Sequence, residues 1–288
     1  MKHAFLIMAH GNWELLATLI EKLDHPDNDI FLHIDKKVSF PEETKKALEE
    51  SAHYSKLTFA KRIRINWGGY SQIECELRLI ECAKNSASYD YYHIMSGVDF
   101  PIKPMTYIHK YFEDNKGCEF CDFEPDEWTE RTAWQFRYYH LLQEYVARKN
   151  SRKYPSYFIE YYLLKIQEKL NIDRRKKQPE IVFRRAPNWV SITDAFAGFL
   201  LSKEKWIRQT FKWTKCSDEM IVATVMFNSD FEKKRKPCMR YIDWTRGTPY
   251  TFTIDEYDEI MKDEALFVRK VGVDTEKRKA LVEKLCEL

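Results

Sequence analysis

Along the first hundred residues the apolar positions switch between two patterns. "HAFLIMAH" (3–10) and "IFLHID" (30–35) are unbroken apolar runs of strand length. Between them, "NWELLATLIEKLD" (12–24) spaces Leu15, Leu16, Leu19, Ile20 and Leu23 along one helical face, with Asn12 placed to cap it. A turn at "HPDND" precedes the second run. "PEETKKALEESA" (41–52) predicts an exposed helix, and "LTFAKR" and "IRIN" predict short strands. "SQIECELRLIECAKNS" (71–86) predicts a helix, and "YDYYHIMSG" (89–97) another buried strand. Strands alternating with helices predict an α/β fold with a mostly parallel, doubly wound central sheet flanked by helices. Such a sheet binds its ligands beyond the carboxyl ends of its strands. Those ends carry His10, Asp35, Asn66–Trp67 and Ser96–Asp99, which supply polar and aromatic groups.

From 101 to 185 the pattern changes. "EWTERTAWQFRYYH" and "YFIEYYLLKIQEKL" are dense in aromatics and charge and predict helices with no place in the sheet. "NIDRRKKQPE" (171–180) predicts a solvated loop. The buried pattern resumes at "WVSITDAFAGFLL" (189–201), followed by the helical "CSDEMIVATVMFNS", a strand-like "MRYIDWTRG" and a terminal helix. No repeat or low-complexity linker divides the chain, so residues 1–288 are expected to form a single domain.

Composition narrows the classes. A net charge of +2 gives no global field to attract nucleic acid. Aromatics reach 15%, enough to supply flat platforms for sugars or bases as well as core. The apolar run at the start is short and lacks a small-residue cleavage site, so it reads as a first strand and not a signal peptide. No segment approaches the ~18 apolar residues of a membrane span. Seven scattered cysteines fit reduced thiols in a cytoplasm. Cys118 and Cys121 form a CxxC, but no second pair follows to complete a structural zinc site.

With eight glycines and no Walker or dinucleotide fingerprint, a bound phosphate would have to be met by side-chain cations. Arg246 in "DWTRGTP" and Lys270 in "ALFVRKV" are candidates, and each is equally readable as a surface cation. Asp27-Asn28-Asp29 matches an Asp-x-Asp metal clamp, yet it precedes a strand and reads as turn chemistry. Asp35, ending a buried run, reads either as a ligand contact or as a cap on the next turn. In "CSDEMIVATVMF", Ser217 or Asp218 is positioned to cap a helix and meet its dipole. That accounts for one acid. Its neighbour Glu219 is left to point elsewhere, where it would serve as a general base.

These residues fall in segments that resemble the core-2/I-branching glycosyltransferase family, which includes β-1,6-N-acetylglucosaminyltransferases and peptide O-xylosyltransferases. The segments are "FLIMAHGNWELL", "DIFLHIDKK", "INWGGYSQIECELRLIECA", "YYHIMSGVDFPIKP", "NWVSITDAFAGFLL", "CSDEMIVATVMFNS", "MRYIDWTRGTP" and "DEALFVRKV", in family order from about residue 3 to 272. The resemblance implies a GT-A-type (Rossmann-like) fold, a UDP-sugar donor, an inverting mechanism and no divalent metal or other cofactor. The unmatched stretch at about 122–185 is then a variable helical insertion on the acceptor side. Carried over by position, Glu219 is the catalytic base, Lys270 holds the diphosphate with Arg246 as its partner, and Ala9, His10, Asp35 and Trp67 contact the uridine.

Expected acceptor contacts are Asp99, Arg131, Trp134, Arg137, Tyr241, Asp243 and Trp244. The chain lacks the anchor, stem and disulfide set of the animal enzymes. The resemblance therefore implies a bacterial, cytoplasmic member moving a sugar, GlcNAc first, onto a glycan or lipid-linked glycan for surface polysaccharide. The basic loop at 171–177 would touch an anionic membrane surface or simply be solvated. Two other classes stay open: a non-catalytic carbohydrate- or nucleotide-binding relative, and a glycoside hydrolase using Asp218 and Glu219. Against the hydrolase, adjacent residues at a helix start diverge by about 100° and do not face each other across a bond at ~5–9 Å.

Overall fold

The structure, a computed structural model, describes residues 1–146 and 155–288. Its centre is four parallel strands: β1 (His3–Ala9), β2 (Asn28–Ile34), β3 (Lys56–Phe59) and β4 (Tyr91–Ser96). They are followed by β5 (Asp99–Pro101), β6 (Glu119–Phe120), β7 (Ser191–Thr193), β8 (Arg235–Lys236), β9 (Arg240–Ile242) and β10 (Phe267–Arg269). The main sheet runs β3-β2-β1-β4-β7-β6-β8, with β7 antiparallel to both neighbours, and a small sheet runs β5-β10-β9.

Strand β1 shows why the runs are apolar throughout. Successive side chains point to opposite faces. Ala4 and Leu6 pack into one core with α3 (Tyr70–Ser86) and the helices Asp194–Ser202 and Asp218–Phe227. Phe5 and Ile7 pack into a second core with α1 (Trp13–Leu23), α4 (Met105–Asp114) and the helix Glu276–Cys286. Helices cover both faces, so no polar alternation survives. No helix of the described residues is long and apolar enough to cross a membrane.

Several local expectations fail for physical reasons. "IRIN" (63–66) forms no strand, because the Ile63 amide donates to His33 Nε2 at 3.0 Å and the Ile65 amide to Asp35 Oδ1 at 3.3 Å. Side chains from β2 and its carboxyl end take the bonds that a ladder would use. Asn12 precedes α1 in a left-handed conformation, φ 54°, and makes no cap bond. β2 begins at Asn28, two residues early, because polar partners meet it. Asn28 Nδ2 donates to the Leu23 carbonyl at 2.7 Å, and Asp29 accepts from Tyr89 Oη at 2.5 Å and the Lys56 amide at 3.0 Å. The Asp27–Asp29 stretch therefore lies at the amino end of the sheet, away from the ligand-binding edge.

The expected solvated loop at 171–180 is instead a clasp. Arg174 donates to the Tyr138 carbonyl, at 3.2 Å, and to the Thr210 carbonyl, and Arg175 closes on Asp173 at 2.8 Å. Much of the basic run is consumed internally.

Candidate active site

At the carboxyl ends of β1 and β2 the Asp35 amide donates to the Ala9 carbonyl at 3.0 Å, joining two of the expected nucleotide contacts. His10 follows, exposed. Asp35 is buried, and its carboxylate accepts the Lys37 amide at 2.9 Å and the Ile65 amide at 3.3 Å. That second bond draws residues 65–67 over the strand ends and presents the indole of Trp67, 47% exposed.

The turn after Trp67 needs its two glycines. Gly68 has φ +71°, and its carbonyl accepts the Cys216 amide at 2.9 Å; a Cβ there would meet Gln143 Nε2 at 2.9 Å. A Cβ on Gly69 would meet the Glu144 carboxylate at 2.7 Å. Glu144 takes the Ser71 amide at 2.7 Å, placing a negative charge at the positive end of α3. The aromatic middle region thus locks the Trp67 turn, and Cys216 leads from it straight to Asp218 and Glu219.

Those two acids divide, though not by capping. Ser217 makes no cap bond, and its Oγ is buried without a partner. Asp218 is buried. Its Oδ2 accepts from Gln72 Nε2 at 2.9 Å and lies 3.5 Å from Asn188 Nδ2, which also donates to Glu76 at 2.6 Å. Burial, then the neighbouring charge of Glu219, pushes the Asp218 carboxyl up, and burial, then Asp218, pushes Glu76 well up. Asp218 Oδ1 and Asn188 Oδ1 are both buried without a donor. Burial thus pushes both carboxyls towards the neutral, protonated form. Beyond its place at the helix start, Asp218 is thus one of two neighbouring buried acids, because α3 and residue 188 close over it.

Glu219 turns the other way. A third of its side chain is exposed, and its carboxylate pairs with the guanidinium of buried Arg185. Arg185 also donates to Glu124 at 3.1 Å and to the side-chain oxygen of Gln135. Burial raises the Glu219 carboxyl, Arg185 opposes the rise, and Glu124 adds to it. Glu219 is a half-open carboxylate held in orientation by a buried cation.

Across the rim, Asp99 is fully buried, accepting the Ser96 amide at 2.8 Å and Arg269 at 2.5 Å. It stands behind Arg269 and is not placed to touch an acceptor. Arg269 stacks over Trp189, its guanidinium carbon 3.7 Å from the ring centroid. Lys270, half-buried, is fixed through its backbone to Tyr250 and Phe252. Arg246 lies over the Tyr250 ring at 4.4 Å and is already engaged by Asp243, by Glu256 at 3.2 Å and by Glu259 at 4.0 Å. Taking a diphosphate would require Arg246 to exchange at least one carboxylate. Tyr241, Asp243, Trp244 and Arg246 line one open groove, as the sequence grouping anticipates. Its polar groups are committed: Asp243 to Thr245 and Arg246, Tyr241 to Glu259.

Trp134 is exposed, with Lys215 Nζ over its ring at 5.3 Å and His140 at its edge. Arg131 stacks on Trp128 and Arg137 pairs with Asp173 at 3.6 Å, so both serve the local fold. The residues missed from sequence are Arg185, Glu124, Gln135, Glu144, Glu76, Asn188, Trp189 and Arg269. None lies in a recognisable spacing; "FRRAPNW" (183–189) alone juxtaposes two arginines with an aromatic before a buried strand.

The sequence profile described as "Branch: Core-2/I-Branching enzyme" matches residues 3–264. Over 159 residues the chain is 27% identical to a Mus musculus N-acetyllactosaminide beta-1,6-N-acetylglucosaminyl-transferase, a match covering 53% of this chain and 39% of that protein. The matched stretch is therefore well under half the length of that relative. Among solved structures, the apo structure of the bifunctional glycosyltransferase WbbM superposes with a TM-score of 0.51 and 11% identity, covering 99% of this chain and 49% of that one. The apo form of mouse xyloside xylosyltransferase 1 gives a TM-score of 0.43 and 9% identity over 96% and 99% of the two chains. The WbbM likeness agrees with the strand order in giving a GT-A-like fold.

Proposed function

The chain belongs to the core-2/I-branching enzyme family, and on that premise we propose that it is an inverting glycosyltransferase. It would move a sugar, GlcNAc first, from a UDP-sugar to a hydroxyl of a glycan acceptor without a metal clamp on the diphosphate. The observation that carries this reading is Glu219, half-open at the carboxyl-end rim and gripped by buried Arg185. Glu219 takes the proton of the acceptor hydroxyl as that oxygen bonds to the anomeric carbon. The bond to the diphosphate breaks on the opposite face, and the leaving UDP carries away the electron pair. Lys270, with Arg246 once freed from a carboxylate, meets the charge that develops there. Ala9, His10, Asp35 and the Trp67 indole receive the uridine.

The name of the mouse relative supports GlcNAc as donor. Exposed Phe158, Ile159, Tyr162 and Ile166 on the helix Pro155–Lys169 support an acceptor at a membrane surface. In a bacterial setting that would be a lipid-linked glycan for surface polysaccharide, handled at the cytoplasmic face. Asp218, turned inward, gives no support to a paired-acid hydrolase.

The test is a panel of UDP-sugars assayed for slow donor hydrolysis without acceptor, with and without EDTA. Hydrolysis of UDP-GlcNAc that survives EDTA is the expected result. Mn²⁺-dependent turnover overturns the metal-free clause. Thermal stabilisation by UDP without any turnover replaces the enzyme with a non-catalytic binder.

A further inference from the structure

At the amino end of the sheet, the turn before β2 and the helix α4 bring His25, Asp27 and His109 together, each with one ligand atom within 4.8 Å of the others. The His25 and His109 rings lie 4.5 Å apart, and the buried ring of His3 lies 4.3 Å from His109. His109 Nε2 is engaged with Asn28 Oδ1 at 2.9 Å, which fixes the ring. His25 Nδ1 receives the Asp27 amide at 3.1 Å, a long bond that a cation on that lone pair would replace. His3 is fully buried, its Nδ1 engaged with His93 at 2.9 Å, yet its Nε2 has no hydrogen-bond partner.

We propose that His25, Asp27 and His109 form a binding site for an imidazole-preferring divalent cation of the zinc, cobalt or nickel class. Two imidazoles and one carboxylate suit these ions better than magnesium or calcium. Ligand atoms around one tetrahedral zinc sit roughly 3.3 Å apart, given Zn–N distances of about 2.0–2.1 Å. The observed spacing is within a side-chain adjustment of that, and water is available as the fourth ligand. β1 spans 7 residues between this cluster and Ala9, so about 20 Å separates the cation from the candidate active site. The ion would clip the turn before β2 to α4 and take no part in sugar transfer.

The full chain, stripped of metal, is titrated with Zn²⁺ by calorimetry and with Co²⁺ by visible absorption. One site is expected, with cobalt d–d bands and no sulfur charge-transfer band. Asp27→Asn and His109→Gln should each weaken binding at least ~10-fold, while His53→Gln, in an exposed turn, leaves it unchanged. Zn²⁺ should raise the melting temperature without altering donor hydrolysis. If His109→Gln disturbs folding, Asp27→Asn, at an exposed position, carries the test alone. Absence of binding, binding indifferent to Asp27→Asn, or a thiolate-to-cobalt band would each overturn the proposal. None of these outcomes depends on turnover, so they leave the reading of Glu219 to its own assay.

Discussion

The two ends of one sheet solve the burial of titratable groups in opposite ways. At the amino end, His3 and His93 sit in the core, and burial drives both rings far below the usual imidazole range, so they are neutral at any ordinary pH. Stacked rings and an imidazole–imidazole bond hold them, with His3 Nε2 left unpaired. At the carboxyl end, Glu76, Asp218, Glu219 and Glu124 converge with Arg185 as the buried cation in contact with two of them. Burial raises all four carboxyls, and two of them share a neutral amide, Asn188. Perturbed acids beside a buried cation in a partly open rim support the proposed role of Glu219.

The comparison breaks most sharply at Glu219. Glu219→Gln keeps the shape and a hydrogen bond to Arg185 but removes the proposed base. Transfer should fall at least ~100-fold, the low end of what a positioned base contributes. UDP affinity, measured by calorimetry, should stay within about twofold of the parent. A Glu219→Gln enzyme of near-parental activity would move the base elsewhere on the rim.

Arg185→Met tests the cation. Two carboxylates would lose their partner, and breaking a buried pair costs about 3–5 kcal/mol, here reduced to about 2 because Glu124 and Glu219 are a quarter to a third exposed. Without the guanidinium the Glu219 carboxyl rises further, so less of it is ionised at neutral pH. Activity should drop at least ~10-fold at pH 7 and recover partly as pH rises, because the acid limb of kcat/KM moves upward. An acid limb that stays in place would show that Arg185 serves the fold and not the base.

How much of this was visible in the sequence follows the same division. β1, β4 and α1 are legible because each lies wholly inside one pattern, a buried run or a helical spacing, and β2 and α3 depart from theirs only at the first residues. Glu219, Asp35 and Trp67 stand at the edges of predicted elements, and the family resemblance is what assigns them their proposed roles. Arg185, Glu124 and Gln135 were not. They come from a stretch whose pairing depends on contacts across 34, 61 and 50 residues of chain, and no local period encodes those. "IRIN" misled for a related reason: its amides are satisfied by side chains, and propensity does not register that. Asp218 misled because a helix-start acid has a ready local explanation, while its actual partners, Gln72 and Asn188, lie far away in sequence.

The smallest expected effect separates the two ends by the sign of their pH dependence. Glu76 is buried with its carboxyl well above the usual range, first because of burial and then because of Asp218. The unfolded chain releases this proton near about pH 4.3, while the folded chain keeps it to a higher pH. Between those values the folded state binds more protons, so stability falls as pH rises through that window. His93, with its pKa lowered, acts oppositely: the unfolded chain takes up a proton near about pH 6.5 that the folded core refuses, so stability falls as pH drops below that value. Glu76→Gln keeps the acceptor for Asn188 and removes only the titration. Its melting temperature should exceed the parent's by a few degrees at pH 8, and the two curves should converge towards pH 4, where the parent's Glu76 is protonated in both states. The decline towards acid, which belongs to the histidine end, should be the same in both proteins. Parallel melting curves from pH 4 to 8 would mean that burial does not raise the Glu76 carboxyl in the folded protein and that Glu76 is ionised there.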